Sequence, residues 1–178
     1  MSINFQTTSA VVLQNEIKKL GPDIIGLELG VWTGHNMCHL LEECDNIKHL
    51  YGVDPYLPYQ DWNRYIDQNV MNNARNTALN NLKHFNTNRW TLIQDTSENV
   101  SKIISELDFI FIDGDHSYER CLEDLNLWYG KIKKGGIFSG HDYSLKGVNK
   151  ALLDFKTNNR IFNNFYVIPN DVWYWIKD

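Results

Sequence analysis

The fold is decided by the stretch Phe109-Ile-Phe-Ile-Asp-Gly-Asp-His-Ser-Tyr118, an apolar run that ends abruptly in acids and a histidine. The stretch Gly135-Gly-Ile-Phe-Ser-Gly-His-Asp-Tyr143 repeats this pattern further along the chain. Such runs are typical of buried parallel strands whose carboxyl ends open into a site. Because neighbouring parallel strands lie about 4.8 Å apart, we expect Asp113 to face His141 and Asp142 across one small pocket. Three such groups suit a divalent cation or acid–base chemistry.

Length and composition predict one domain. With 178 residues, of which 43% are hydrophobic, the chain can bury a sizeable core, and we expect a single domain over residues 1–178. The formal net charge is −5, and the longest basic cluster, Lys131-Ile-Lys-Lys134, fits a solvated helix end. This charge pattern argues against a nucleic-acid partner.

The sequence indicates neither a membrane nor an oxidising compartment. No segment approaches the roughly eighteen apolar residues of a membrane span, and Met1–Thr8 lacks the basic head and apolar core of a signal peptide. The cysteines Cys38, Cys44 and Cys121 are odd in number and lack Cys-x-x-Cys spacing, which favours reduced, buried thiols over disulfides or a zinc site. We therefore expect a cytoplasmic protein with no membrane partner.

Strands alternate with helices along the chain, the pattern of a parallel sheet covered on both faces. We predict strands at 23–30, 49–54, 90–95, 107–112 and 136–139, and an antiparallel pair at 165–168 and 172–176. Helices are predicted at about 9–20, 34–43, 70–85, 97–105, 118–132 and 148–155. The fold class is therefore α/β: a doubly wound, mostly parallel Rossmann-like sheet with an antiparallel C-terminal edge strand and the expected strand order 3-2-1-4-5-7-6.

Two aromatic segments allow more than one interpretation. The segment from Pro55 to about Asp67 has no clean period and is predicted to be a loop or broken helix. Its aromatic part, Tyr56 to Tyr65, either forms a wall over the substrate or packs between subunits. Likewise, Val172-Trp-Tyr-Trp-Ile176 is too aromatic for an exposed edge strand. It is either covered by its own chain or supports a homodimer.

The first strand-to-helix turn, Glu28-Leu-Gly-Val-Trp-Thr-Gly34, predicts a ligand without phosphates. Its glycines let the backbone approach a ligand, and a helix N-terminus follows. The fingerprint G-x-G-x-x-G is absent because Trp32 occupies the slot of the middle glycine, which disfavours a nicotinamide-dependent reductase. Asp54 ends the second strand, where an acid accepts both ribose hydroxyls of an adenosine. S-adenosylmethionine is a nucleoside that meets this description.

Three segments resemble class I S-adenosylmethionine-dependent methyltransferases, and the resemblance runs from about Asp23 to the C-terminus. Glu28-Leu-Gly-Val-Trp-Thr-Gly-His-Asn36 is similar to the E-L-G-x-Y-x-G-x-S turn of the catechol and caffeoyl-coenzyme A O-methyltransferases. Phe111-Ile-Asp-Gly-Asp-His-Ser-Tyr118 resembles small bacterial methyltransferases found among sugar and antibiotic tailoring enzymes. The third segment is Gly135–Tyr143, followed by Gly147-Val-Asn-Lys-Ala151.

The resemblance implies S-adenosylmethionine as the cofactor and assigns residues to its parts. The residues implied are Gly30, Trp32, Gly34 and Asn36 around the methionine part, Asp54 at the ribose, Asp95 and Thr96 at the adenine, and Asp113 near the methyl group. Glu28 is interpreted as an acid that orders the turn, and its contact with the ligand is either direct or indirect.

The resemblance also implies a divalent cation, Mg²⁺ or Mn²⁺, bound by Asp113, His141 and Asp142. The related enzymes usually have an acid where this chain has His141, and imidazole prefers softer metals than magnesium. The position of their catalytic lysine is taken by His116, whose pKa near neutrality suits a general base. Asp115 is the alternative base, or it simply caps the following helix.

These observations predict an enzyme that transfers a methyl group to a hydroxyl of a small molecule such as a sugar, a phenol or a natural product. The alternatives are a metal-independent N- or O-methyltransferase and a non-catalytic methyltransferase-like binding domain. A homodimer is possible. No function is assigned to His35, His39, His49 or His84, because they show no partner spacing.

Overall fold

A computed structural model of the protein describes residues 9–61, 64–162 and 164–178. The strands are β1 (Ile24–Leu29), β2 (Ile47–Val53), β3 (Tyr59–Asp61), β4 (Arg64–Ile66), β5 (Trp90–Ile93), β6 (Leu107–Ile112), β7 (Ile132–Gly140), β8 (Phe165–Ile168) and β9 (Val172–Ile176). The helices are α1 (Gln14–Lys19), α2 (His35–Glu43), α3 (Gln68–Leu82), α4 (Ser97–Ser101), α5 (Tyr118–Tyr129) and α6 (Lys146–Asn158). Short 3₁₀ turns lie at Ser9–Val12 and Thr87–Arg89.

Within the described residues, the main sheet has seven strands in the order β5-β2-β1-β6-β7-β9-β8. The pairs from β5 through β7 are parallel, whereas β9 is antiparallel to both β7 and β8. The predicted fold class, a doubly wound, mostly parallel sheet with an antiparallel C-terminal edge, is confirmed. Numbered along the chain, the order differs from the predicted 3-2-1-4-5-7-6, because β3 and β4 form a separate two-stranded sheet and shift the numbers of all later strands.

Both faces of the sheet are covered by helices. On one face, α1, α2 and α3 pack against a core that includes Phe109 and Phe111. On the other, α4, α5 and α6 pack against Ile110 and Ile112. Alternate residues of β6 thus point to opposite cores, which explains why this strand is a continuous apolar run.

The segment predicted as a loop or broken helix contains the hairpin of β3 and β4, in which Gln60 pairs with Tyr65. Ile66 is buried beside Tyr56, Met71 and Ala74. The strands are too short for their alternation to be visible in the sequence. The tip of this aromatic segment, Trp62 and Asn63, lies outside the described residues.

The prediction that Lys131–Lys134 ends a helix is wrong. The helix α5 ends at Tyr129, and β7 begins at Ile132. The strand continues through Gly135, where φ is +81° and the register against β6 is irregular. From the sequence, the strand was predicted to start at the pair Gly135-Gly136, but β7 begins three residues earlier and runs through this pair. Lys133 instead forms an ion pair with Asp108 at 2.9 Å.

The aromatic strand β9 is covered by its own chain. It lies between β7 and β8, and Trp173 and Trp175 are buried. The strand at the edge is therefore β8, in which Tyr166 and Val167 are exposed. The three cysteines are free and buried, as predicted. In the described ranges, no helix has the length and apolar character needed to cross a membrane.

Candidate active site

Residues that directly follow the parallel strands form a rim, here called the carboxyl edge of the sheet. Each extends the hydrogen-bond ladder by one residue. The N–H groups of Asp54, Asp113 and His141 donate to Ile93, Leu29 and Ile112 on the neighbouring strands, at 3.2, 2.9 and 3.0 Å. The sheet therefore fixes the backbone of these polar residues.

The turn after β1 depends on close backbone contacts. Gly30 has φ +80°, and a Cβ atom there would lie 1.9 Å from the carbonyl oxygen of Asp113. Only glycine allows this approach. Gly34 has φ +76°, and its α-carbon faces Ala78 of α3 so closely that a Cβ would lie 3.3 Å away. Asn81 of α3 also donates to the carbonyl of Thr33 at 3.0 Å. Thus β6 and α3 enclose the turn from two sides.

Asp54 is held by the backbone. Its two carboxylate oxygens accept hydrogen bonds from the N–H groups of Trp32 and Tyr56, at 2.9 and 2.8 Å. Burial raises the pKa of Asp54, although these hydrogen bonds oppose the effect. The backbone N–H of Val31 also lowers the pKa of Asp54. The two oxygens together have about four acceptor positions, so Asp54 can still accept a hydroxyl group from a ligand.

Glu28 is a buried acid with an unused acceptor. Within the part of the chain that the structure describes, its Oε2 atom has no hydrogen-bond partner. Burial raises the pKa of Glu28 well above its ordinary value, Asp113 and Asp54 raise it further, and a hydrogen bond with Asn36 opposes them. Three carboxyl groups on adjacent strands therefore interact beneath the turn, and their combined potential favours a cationic ligand.

Asp95 and Thr96 lie exposed at the end of β5 and hold the start of α4. Asp95 accepts hydrogen bonds from the Thr96 N–H and the Asn99 amide at 2.7 and 2.9 Å. Thr96 accepts one from the Asn99 N–H at 3.3 Å. Their contact with an adenine stays a prediction. Trp32 is 41% exposed on the turn, and its carbonyl accepts a hydrogen bond from the Tyr56 hydroxyl.

The residues predicted to bind a metal converge at the ends of β6 and β7. Ligand atoms of Asp113, His141 and Asp142 all lie within 4.8 Å of one another. His141 Nδ1 is 3.5 Å from Asp113 Oδ1 and 3.1 Å from Asp142 Oδ2. The same Asp142 oxygen is 2.8 Å from His116 Nε2. The structure thus brings together all four residues assigned to the chemistry.

The two histidines in this cluster are surrounded by negative charge. Burial alone would lower the pKa of His141, but hydrogen bonds with Asp113 and Asp142 outweigh it and raise the pKa to about 10. The hydrogen bond with Asp142 also raises the pKa of His116 above its ordinary value. Burial alone would raise the pKa of Asp142, but the two histidines hold it well below its usual range.

Asp115 does not cap α5, because the N-cap of this helix is Ser117 and no described side chain bonds to its first turn. Its carboxylate accepts a hydrogen bond at 2.8 Å from the N–H of Ser117, which directly precedes α5. The loop also packs tightly against α6, because a Cβ on Gly147 would lie 2.3 Å from the carbonyl oxygen of His116. Asp115 therefore orders the loop, whereas the His116 side chain contacts Asp142.

Sequence reasoning assigned no role to two residues near the turn and this cluster. The Trp173 indole N–H donates to the carbonyl of His141 at 2.9 Å, which connects β9 to the cluster that contains His141. Arg75 lies on α3 beside the buried face formed by Ala74 and Ala78. Neither residue gave a local signal in the sequence. The partner of Trp173 is a backbone atom, and the position of Arg75 depends on how α3 packs.

Comparison with known proteins agrees with this geometry. Residues 27–143 match the family described as “Methyltransferase domain”. The match spans more than half of the chain, and the chain therefore belongs to this family. An uncharacterized protein of Acanthamoeba polyphaga mimivirus is 27% identical over 161 residues, which cover 84% of this chain and 70% of that protein.

Solved structures share the fold. The chain is similar to the precorrin-6y C5,15-methyltransferase of Geobacter metallireducens, with a TM-score of 0.69 and 13% identity, covering 100% of this chain and 93% of that chain. It is also similar to an O-methyltransferase from Bacillus cereus in complex with SAH, with a TM-score of 0.62 and 12% identity, covering 93% of this chain and 77% of that chain. At these identities the likeness shows the fold alone.

Proposed function

We propose that the protein transfers a methyl group from S-adenosylmethionine to a hydroxyl group of a small molecule, with the assistance of a divalent cation. The observation that carries this proposal is the convergence of Asp113, His116, His141 and Asp142 at the carboxyl edge of the sheet. This cluster adjoins the turn that begins at Gly30, because Gly30 contacts the carbonyl of Asp113.

The residues around the turn fit S-adenosylmethionine. The sulfonium and ammonium groups of this cofactor are cationic, and the acids Glu28, Asp54 and Asp113 interact beneath the turn. The unpartnered Glu28 Oε2 is an acceptor that a ligand would satisfy. Asp54 has backbone-fixed oxygens with spare lone pairs for ribose hydroxyls. The Bacillus cereus enzyme of the same fold, whose structure contains SAH, supports this assignment.

The chemistry required of the chain is proton removal and alignment. The acceptor oxygen forms a bond to the methyl carbon, the sulfur–carbon bond breaks with its electrons passing to sulfur, and the hydroxyl proton goes to a base. His116 is the proposed base. Asp142 orients its imidazole through Nε2 at 2.8 Å, which leaves Nδ1 as the nitrogen available to the acceptor.

Asp113, His141 and Asp142 fit a divalent cation. They offer two carboxylates and one imidazole within 4.8 Å, a mixed oxygen and nitrogen set that suits Mn²⁺ better than Mg²⁺. A cation bound there would lower the pKa of an acceptor hydroxyl. Metal ligation requires a neutral imidazole, so His141 would have to lose the proton that its two acid neighbours favour.

A metal-independent transfer is the second candidate, and one observation favours it. The four groups already pair with one another, since Asp142 contacts both histidines and His141 also faces Asp113. A protonated His141 would compensate the two acids without an ion. In that case His116 and Asp142 alone would remove the proton.

The experiment is isothermal titration of the chelator-treated protein with S-adenosylhomocysteine, repeated with Mg²⁺ and with Mn²⁺. We expect binding that Asp54→Ala abolishes, and a separate heat of Mn²⁺ binding that Asp113→Asn abolishes. Cofactor binding with no Mn²⁺ heat would favour the metal-independent candidate. The absence of S-adenosylhomocysteine binding under every metal condition would contradict the proposed function.

A further inference from the structure

Arg75 carries a charge that the described structure leaves unmatched. Its side chain is half-buried on α3. Its Nε atom is buried and has no hydrogen-bond partner among residues 9–61, 64–162 and 164–178. A buried donor without an acceptor is costly, and a charged one more so. A carboxylate ligand would supply the missing acceptor.

A second arginine shows what a structural guanidinium looks like in this protein. Arg89 is similarly half-buried. Its Nε, Nη1 and Nη2 atoms donate to the carbonyls of Ile47, Leu41 and Cys44, at 3.2, 3.0 and 3.1 Å. Arg89 thus ties α2 to β2, whereas the guanidinium of Arg75 ties no described element to another.

The position of Arg75 is beside the turn that begins at Gly30. Arg75 precedes Ala78 by three residues, which places both on one side of α3, and Ala78 packs against Gly34. Burial raises the pKa of Tyr56 and the charge of Arg75 opposes that rise, so the guanidinium lies within electrostatic range of the Tyr56 hydroxyl. That hydroxyl donates to the carbonyl of Trp32, within the same turn.

The turn is therefore flanked by two unmatched groups of opposite sign. Glu28 Oε2 is an orphaned acceptor on β1, and Arg75 Nε is an orphaned donor on α3. An amino-acid group offers both an ammonium, which suits the acids, and a carboxylate, which suits the guanidinium. The adenosine part of a nucleoside ligand offers neither charge.

We propose that Arg75 binds the carboxylate of the amino-acid part of the cofactor and so selects S-adenosylmethionine over nucleosides that lack it. This inference rests on the proposed function, because it assumes that cofactor. Arg75 acts in binding and takes no part in proton removal.

The test compares two probes by isothermal titration: S-adenosylhomocysteine and 5′-methylthioadenosine, which lacks the amino-acid part. For Arg75→Gln we expect affinity for S-adenosylhomocysteine to fall about 10- to 100-fold and affinity for 5′-methylthioadenosine to change less than about twofold, since one charge-assisted hydrogen-bonded pair is lost. Arg89→Gln is the matched control: it should lower the unfolding temperature and leave the ratio of the two affinities unchanged.

A second arm uses only the wild-type protein, so that misfolding of a variant cannot obscure the result. S-adenosylhomocysteine without its carboxylate should bind about 10- to 100-fold more weakly than the intact compound. Equal weakening of both probes in Arg75→Gln, or equal wild-type affinity for the intact and decarboxylated compounds, would overturn the inference while the proposed function stands. Wild-type protein that binds neither probe would overturn both.

Discussion

Asp54 and Asp142 are both acids at the carboxyl edge of the sheet, yet different groups hold them. Asp54 is fixed by two backbone N–H groups, from Trp32 and Tyr56. Asp142 is fixed by two side chains, His116 and His141. The half of the edge proposed to bind the cofactor, here called the cofactor half, contains the turn and Asp54 and is organised mainly by the backbone. The half proposed to face the acceptor, here called the acceptor half, contains Asp113, His116, His141 and Asp142 and is organised by ionisable side chains.

This difference separates two tasks. Backbone donors keep one geometry whatever the pH, which suits the recognition of an unchanging ligand. Side chains that share protons can accept one from an acceptor hydroxyl or release one to make room for a cation. The comparison therefore predicts that substitutions in the cofactor half act on binding and stability, and those in the acceptor half on the chemical step.

The largest expected effect is on the acceptor half. We expect Asp113→Asn to lower the rate of methyl transfer about 10²- to 10⁴-fold, the range typical of a lost acid–base or metal-assisted step, while the fold is kept. Transfer from radiolabelled S-adenosylmethionine to a panel of hydroxylated small molecules measures this. Asp115→Asn is the control and should retain most activity. Near-full activity of Asp113→Asn would contradict the prediction that substitutions in the acceptor half act on the chemical step.

The next prediction compares how much the free energy of unfolding falls when one acid is removed from each half. Asp54→Ala should lower the free energy of unfolding by about 2–4 kcal/mol, because two backbone donors lose a charged acceptor in a buried turn. Asp142→Ala should cost less, about 1–2 kcal/mol, since His116 can turn to water and His141 still faces Asp113. Urea denaturation of both variants at neutral pH tests this order. Equal losses would mean that the acceptor half is as rigid as the cofactor half.

A smaller effect on stability is expected at the hydrogen bond that holds the backbone of His141 in the acceptor half. Trp173→Phe removes the indole N–H that donates to the His141 carbonyl. We expect a loss of about 1–2 kcal/mol in stability from the hydrogen bond and the reduced core volume, and a lower rate of transfer. Trp175→Phe, in the same strand, is the comparison: it should lose less stability, because its indole N–H has no hydrogen-bond partner among the described residues, and it should retain the rate. Equal rates in the two variants would show that Trp173 does not position His141.

A pH-dependent effect outside both halves concerns Asp124, a half-buried acid on α5 whose described hydrogen-bond donor is the Ser97 hydroxyl. Burial raises the pKa of Asp124 to about 6, although that hydrogen bond opposes it. Because an unfolded aspartate ionises near about 3.9, its stabilising contribution is full below that pH and is lost as pH rises through about 6. Asp124→Asn cannot ionise, so its stability relative to wild type should rise by about 2 kcal/mol between about pH 4 and pH 7.5. Urea unfolding at the two pH values measures this, and a constant difference would contradict it.

The sequence predicted the strands and helices that have a run or periodic pattern of apolar residues, and it missed elements without such a pattern. Apolar runs such as Phe109–Ile112 and helical stripes such as that of α5 are local signals, and they placed the sheet and its covering helices. The hairpin of β3 and β4 and the early start of β7 were missed, because three-residue strands and a strand that passes through Gly135 leave no periodic pattern.

The residues of the candidate site also divide into those that a local pattern placed and those that it did not. Asp54, Asp113, His141 and Asp142 directly follow strands, so the topology alone brought them to one edge. Arg75 depends on how α3 packs against the turn, which no local pattern encodes. Trp173 depends on an antiparallel strand inserted between β7 and β8 and donates to a backbone atom.

The bond from Trp173 to His141 also orders events during protein synthesis. The strands that carry Asp54, Asp113 and His141 emerge from the ribosome before β9 does. Until residues 172–176 have joined the sheet, the His141 carbonyl lacks its donor and β7 has an open edge. The nascent chain can therefore complete the cofactor half first, whereas the acceptor half is held in place only after translation has passed β9.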